Sequence, residues 1–283
     1  MPSVIPFTEF GGSGPLLHFT HANGYPPACY LPLIEHLKPN FTVFGMHLRP
    51  LWPNANPADL RDWLPFSDDL LRLLSDLDRG PVIGVGHSIG GIVTLRAALQ
   101  EPSRFRALVL IDPVLFPPYF IATWNIARAL GLGWKSHPKI AGALNRRRHF
   151  DDLERVFRGY RRRDVFRNMS DESLRAYVQG IARPRAGGGY ELAFSPEWEA
   201  QIYYTGIWRD FDLWRKLKRL QIPTLILRGA QSDTFWAKTA ARVQRAQPKV
   251  QIETLEDTTH ILPLEAPERV NRFIVEFASQ NRQ

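Results

Sequence analysis

Gly86-His87-Ser88-Ile89-Gly90-Gly91, set directly behind the apolar run Val82-Ile83-Gly84-Val85, constrains this chain more than any other stretch. Glycine two residues before and two after a serine marks a sharp strand-to-helix turn that holds the serine hydroxyl out at its tip. Side chains at either glycine position would collide across so tight a turn, and the serine itself must take strained backbone angles. The flanking sequence agrees. Ile89 to Gln100 is helix-competent and stops at Glu101-Pro102.

Around that turn, short apolar runs alternate with helix-competent segments. Leu16–Thr20, Thr42–Met46, Pro81–Val85, Ala107–Ile111, Thr224–Leu227 and Val250–Leu255 read as strands. Ala28–Leu37, Asp59–Leu77, Ile89–Gln100, Phe235–Ala246 and Pro267–Phe277 read as helices. Such alternation implies an α/β fold with a mostly parallel central sheet covered by helices on both faces. Sites in such sheets form at the carboxyl ends of the strands, where Ser88 sits. The alternation breaks off after Asp112-Pro113 and resumes at Pro223. This predicts a core of residues 1–113 and 216–283 interrupted by a helical cap, or lid, over 114–215. Its aromatic residues are expected to form its own core and to wall an apolar substrate pocket, with His87, Trp124, Trp208 and Ile261 as the lining candidates.

Composition excludes several classes. The 283 residues are 44% hydrophobic, enough to bury a core, and no run approaches ~18 apolar residues, so no membrane insertion is expected. The start, MPSVIPFTEFGGSG, lacks the basic and apolar pattern of a signal peptide. Cys29 is the single cysteine, which rules out an internal disulfide and points to the cytoplasm. One cysteine and scattered histidines offer no metal-ligand spacing, so neither a metal nor an organic cofactor is expected. The charge is lopsided: residues 114–215 hold 17 Lys+Arg against 11 Asp+Glu, or +6 of the net +8, and eight arginines lie between Arg146 and Arg163. That pattern suits a solvated basic helix face; no nucleic-acid-binding module accompanies it. The expected partner is a small-molecule substrate, and the sequence sets no oligomeric state.

A serine hydroxyl is a weak nucleophile and needs an adjacent base that a carboxylate orients. His260, in Asp257-Thr258-Thr259-His260-Ile261-Leu262, lies between the last strand and the last helix. Asp233, in Arg228-Gly229-Ala230-Gln231-Ser232-Asp233, follows the strand ending at Leu227. Both therefore fall on the sheet edge that carries Ser88, and Ser88, Asp233 and His260 are the expected catalytic residues. Asp112 and Asp257 are rival acids, with Asp112 read as structural. Negative charge developing on an attacked carbonyl needs N–H donors. Ile89, following the nucleophile, supplies one. His21-Ala22-Asn23-Gly24-Tyr25-Pro26-Pro27 supplies the other: Tyr25 N–H is the expected donor, Gly24 allows the turn, Asn23 is a side-chain alternative and His21 braces the loop.

With HANGYPP (21–27), GHSIGG (86–91), RGAQSD (228–233) and TTHILPLEAPERV (258–270) in place, the chain resembles the α/β-hydrolase superfamily along nearly its whole length. The order Ser88, Asp233, His260 matches that family's Ser…Asp…His order. It looks most like the capped serine esterases and lipases. Serine at position 88 sets aside dehalogenase and epoxide-hydrolase chemistry, which uses aspartate there; the His-Gly-Gly-Gly loop of hormone-sensitive-lipase-like esterases is absent. His47-Leu48-Arg49-Pro50-Leu51-Trp52-Pro53 departs from the Asp-x-Arg-Gly-x-Gly-x-Ser of many capped relatives. The resemblance implies hydrolysis of a carboxylic ester of a largely apolar substrate through an acyl-enzyme. The alternatives on the same triad are C–C bond hydrolysis or cofactor-free perhydrolysis; one of another class is a non-hydrolytic ligand receptor.

Overall fold

In the computed structural model, residues 4–281 are described; the first three and last two residues of the expected core lie outside them. One sheet contains seven strands: β1 (Phe7–Gly12), β2 (Leu16–Thr20), β3 (Thr42–Met46), β4 (Val82–His87), β5 (Phe105–Ile111), β9 (Thr224–Gly229) and β10 (Gln251–Leu255). Their order across it is β1-β3-β2-β4-β5-β9-β10. β1 runs antiparallel to β3 at the edge, and every other pairing is parallel. The fold class read from the sequence is therefore the one observed. β1 was not expected, because Gly11 and Gly12 weaken any strand pattern there.

Side-chain alternation builds the two layers. Along β5, Leu108 and Leu110 join one apolar cluster, while Ala107, Val109 and Ile111 join the other. The first cluster takes in α2 (Leu64–Leu77), α3 (Ile89–Gln100) and Val243 of α11 (Ala237–Ala246). The second takes in α1 (Leu31–Leu37) and α13 (Pro267–Gln280), with the short α12 (Leu262–Glu265) ahead of α13. Both faces are thus sealed. Three of these helices begin later than hydrophobic pattern alone suggests, α11 by two residues at Ala237 and the other two by more. α2 starts at Leu64 rather than Asp59, with Pro65 in its first turn, and α1 starts at Leu31 rather than Ala28, with Pro32 there. A proline in the first turn sacrifices no helical bond, so the helix begins around it.

Between β5 and β9 the chain leaves the sheet. It forms α4 (Pro118–Ala129), α5 (Gly133–Ser136), α6 (Pro138–Leu144), α7 (Leu153–Arg161), α8 (Asp171–Gly180), α9 (Pro196–Thr205) and α10 (Phe211–Leu217). A small antiparallel sheet, ordered β6 (His149–Phe150), β8 (Tyr190–Leu192), β7 (Ala182–Pro184), adds to these helices. This excursion touches the core at loops that follow strand carboxyl ends. Asn23 Nδ2 donates to the Glu199 carbonyl at 3.0 Å, Lys139 pairs with Asp233 at 3.3 Å, and Asn168 Nδ2 donates to the Asp257 carbonyl at 3.2 Å. It also grips α3: Arg96 and Asp210, 6% and 2% exposed, form a buried ion pair at 2.5 Å. No helix among the described residues is long and apolar enough to cross a membrane.

Candidate active site

Ser88 stands at the junction of β4 and α3 with φ 58° and ψ −120°, the strained conformation that the spacing demands. The flanking glycines are there for space. A Cβ on Gly86 would lie 2.3 Å from the Gly90 carbonyl oxygen, and one on Gly90 would lie 2.2 Å from the Thr20 carbonyl oxygen. Ser88 is 6% exposed, and its backbone is fastened on both sides: its N–H donates to Ile111 and its carbonyl accepts from Gly91 and Val114.

His260 meets the serine. Its Nε2 lies 2.9 Å from Ser88 Oγ, and its Nδ1 lies 2.7 Å from Asp112 Oδ2. The loop bearing it is clamped from α12, where Glu265 accepts from the Thr259 N–H at 2.6 Å and from its hydroxyl at 2.9 Å. Burial pushes the Glu265 carboxyl above the usual range, against these bonds.

The acid at His260 is Asp112, not Asp233. Asp112 follows β5, the strand paired with β4, and is fully buried. Its carboxylate accepts from Gly229 N at 3.1 Å, Ser232 Oγ at 2.5 Å and Phe235 N at 3.4 Å besides His260. The segment Gly229–Phe235, in which Asp233 was the expected acid, instead supplies donors to a carboxylate one strand away. Asp233 itself turns outward: its side chain is 66% exposed, accepts from the Thr234 hydroxyl at 2.8 Å and pairs with Lys139. Asp257, the other rival, meets the segment between β5 and β9 through its carbonyl, which accepts from Asn168.

The expected oxyanion donors also separate. Ile89 N–H has no acceptor among the described residues, as befits the first residue of α3, whose N-terminal dipole adds partial positive charge beside Ser88. Tyr25 N–H is spent on the Ala22 carbonyl at 3.3 Å, closing the turn in which Gly24 has φ 75°. The N–H groups of Asn23 and Gly24 in that loop have no protein acceptor among the described residues. The Asn23 side chain is committed to Glu199. His21 does brace the loop: Nδ1–H donates to Ala22 O at 2.9 Å, and Nε2 accepts from Leu48 N at 3.1 Å.

Each of the four residues expected to line a pocket makes a packing or hydrogen-bond contact within the protein. His87 is fully buried between Tyr30 and the His260 carbonyl. Trp124 donates to the Gly206 carbonyl at 3.2 Å and meets His137 edge-on. Trp208 donates to Arg61 O and has the guanidinium groups of Arg128 and Arg209 over its ring at 5.3 and 4.5 Å. Ile261, 4% exposed, belongs to the apolar layer around α13. Aromatic and apolar identity alone does not tell a wall from a core residue.

One member of the arginine cluster reaches the site. Arg146 approaches Gly24: a Cβ there would lie 3.2 Å from its Nη1 and 3.1 Å from Glu199 Oε2. Arg146 and Glu199 pair at 2.5 Å, with Tyr25, Tyr177 and Tyr203 as neighbours. Arg147, Arg148, Arg155, Arg158, Arg162 and Arg163 are exposed, and Arg161 holds the carbonyls of Phe166, Met169 and Ser170.

Residues 18–273 match the sequence model of the alpha/beta hydrolase family. The chain is 27% identical to the 2-(acetamidomethylene)succinate hydrolase of Mesorhizobium japonicum over 94% of its length and 88% of that protein's. It is 24% identical to the pimeloyl-[acyl-carrier protein] methyl ester esterase of Legionella pneumophila, covering 91% of this chain and 92% of the other. Among solved structures, an E-2-(acetamidomethylene)succinate hydrolase superposes with a TM-score of 0.76 at 24% identity, covering 96% of this chain and 94% of that one.

Proposed function

From the premise that the chain belongs to the alpha/beta hydrolase family, we propose that it is a serine hydrolase with Ser88 as nucleophile, His260 as base and Asp112 as orienting acid. The single observation that carries this reading is His260 bridging the other two, 2.9 Å from Ser88 Oγ and 2.7 Å from Asp112 Oδ2. A carboxylate only accepts, so the Nδ1 facing Asp112 carries the proton and Nε2 presents a lone pair to the serine hydroxyl. His260 takes the Ser88 proton as Oγ attacks the acyl carbonyl. The oxyanion receives the N–H of Ile89 and that of Asn23 or Gly24, donors that no described protein group occupies. Each such donor is worth about 3–4 kcal/mol of transition-state stabilisation. His260 then protonates the leaving group, and water repeats the sequence in reverse on the acyl-enzyme. The excursion between β5 and β9 serves as the lid, and residues 114–215 are its proposed extent.

The proposed substrate is a carboxylic ester with an uncharged, largely apolar acyl group. Arg146 is the cation beside the oxyanion loop, and Glu199 already balances its charge. An anionic acyl group, as the succinate-hydrolase relatives' names suggest for those proteins, would have to share Arg146 with Glu199. A fluorophosphonate probe should label Ser88, and Ser88→Ala should abolish both labelling and hydrolysis of p-nitrophenyl butyrate. Full activity in Ser88→Ala overturns the mechanism; an unlabelled wild type favours a ligand receptor. Faster turnover of hemisuccinate than of butyrate and octanoate esters overturns the uncharged substrate.

A further inference from the structure

Tyr30 and His87 are fully buried and take no part in the proton transfers above. They nevertheless form an unbroken chain between two separate parts of the site. Ala22 N–H donates to Tyr30 Oη at 3.2 Å, Tyr30 Oη lies 2.7 Å from His87 Nδ1, and His87 Nε2 lies 2.8 Å from the His260 carbonyl oxygen. Every proton in that chain has one possible place. The His260 carbonyl only accepts, so His87 Nε2 carries the proton. Burial first, and the neighbouring His260 ring second, hold the His87 pKa well below the ordinary range, so His87 is neutral and its Nδ1 is bare. The Tyr30 hydroxyl must then donate to Nδ1, leaving its oxygen to accept from Ala22. At one end hangs the loop whose next residues, Asn23 and Gly24, hold free N–H groups; at the other hangs the base. His87 is also the residue before Ser88, so the chain passes through the nucleophile's own strand.

We propose that Tyr30 and His87 are positioning residues that set the oxyanion loop, Ser88 and His260 in one register, so that turnover rather than substrate affinity depends on the Tyr30 hydroxyl. This rests on the serine-hydrolase reading of Ser88 and His260. Tyr30→Phe keeps the ring, whose centroid lies 4.7 Å from that of Phe19, and removes one oxygen. Two buried partners are then unpaired. Moving the His87 proton to Nδ1 repairs nothing, because it finds no acceptor there and leaves bare Nε2 facing the His260 carbonyl; bare Nδ1 and the Ala22 N–H stay unpaired, and the link between loop and base is cut. Misplacement of about 1 Å at a reacting group costs on the order of 100-fold in rate.

The test measures kcat and KM for p-nitrophenyl butyrate and the rate of Ser88 labelling by a fluorophosphonate, with thermal melts on the same samples. Tyr30→Phe should lower kcat and the labelling rate by roughly 10- to 100-fold with KM within about twofold. His87→Gln and His87→Asn provide a second, independent reading. The Gln amide reaches about as far as Nε2 and can still donate to the His260 carbonyl, whereas the Asn amide reaches only the Nδ1 position. His87→Gln should therefore retain at least about tenfold more turnover than His87→Asn, whichever melts higher. Rates that follow melting temperature, wild-type kcat in Tyr30→Phe, or equal rates in the two His87 variants overturn the proposal. If Tyr30→Phe does not fold, the His87 pair decides. Wild-type protein that the probe does not label overturns the serine-hydrolase reading itself, a result distinct from labelling that Tyr30→Phe leaves unchanged.

Discussion

Exchanging Asp112 for asparagine separates the two candidate acids most sharply, because the arrangement leaves an amide no acceptable orientation. Asp112 Oδ2 serves His260 Nδ1, Ser232 Oγ and Phe235 N, while Oδ1 serves Gly229 N. If the introduced amide nitrogen takes the Oδ2 position, a donor faces His260 and forces its proton onto Nε2, so Ser88 meets an N–H instead of a lone pair. If it takes the Oδ1 position, it opposes Gly229 N–H at a spacing of 3.1 Å, leaving buried donors unpaired at a cost of about 1–3 kcal/mol. The wrong tautomer in a Ser-His-Asp site lowers kcat by about 10⁴. We therefore expect Asp112→Asn to lose roughly 10³- to 10⁴-fold in kcat, or about 4–5.5 kcal/mol of transition-state stabilisation. Asp233→Asn, altering an exposed side chain paired with Lys139, should stay within about threefold. Steady-state turnover of p-nitrophenyl butyrate and the labelling rate of Ser88 measure both. A hundredfold loss in Asp233→Asn beside near-normal Asp112→Asn would falsify the assignment.

Two further outcomes follow from the buried charges. Burial holds His18 and His21 down to about 3, and their Nε2 atoms accept from Met46 N and Leu48 N, so protonation would set N–H against N–H. The unfolded chain takes up these protons near pH 6.5 and the folded one does not, so their stabilisation is complete above that pH and falls away below it. At pH 5 the loss is about 2 kcal/mol for each histidine, and His87 adds to it in the same direction; a urea midpoint that is unchanged between pH 7.5 and pH 5 contradicts this. Arg96→Met alone should cost about 3–5 kcal/mol by leaving Asp210 buried and unpaired, whereas Arg96→Met with Asp210→Leu should recover most of it. Equal losses in the single and double variants, read by chemical denaturation, would contradict the pairing.

The approach of Ser88 and His260 to one another was legible because their signals are local. Gly86 and Gly90 are required by close contacts around the Ser88 turn, and His260 sits in a loop whose place at the sheet edge follows from the strand before it. Which aspartate meets His260 was not, because Asp112, Asp233 and Asp257 all follow strand carboxyl ends and the choice among them is tertiary. Asp112-Pro113 looks like a strand stop, and Ser232-Asp233 like a catalytic turn, until the sheet order puts β5 between β4 and β9. The available signal was adjacency: the strand after the helix that follows Ser88 pairs directly with the strand that precedes Ser88. Tyr25 failed for a shorter-range reason, since the left-handed Gly24 turns the Tyr25 N–H back to Ala22. The three short strands of the excursion span only two or three residues each, too few for any periodicity to show.

The position of Asp112 directly after β5 has a mechanical consequence for the contact between Lys139 and Asp233. The loop after β9 anchors Asp112 through its inner groups, while its outer carboxylate reaches across to α6. One short segment thus braces Asp112 on one side and, if the excursion is the proposed lid, latches it at α6 on the other. An exposed latch of this kind weakens as salt is added, whereas the buried brace does not. Ionic strength should therefore act as a dial on access to Ser88 while leaving the bond-breaking step untouched.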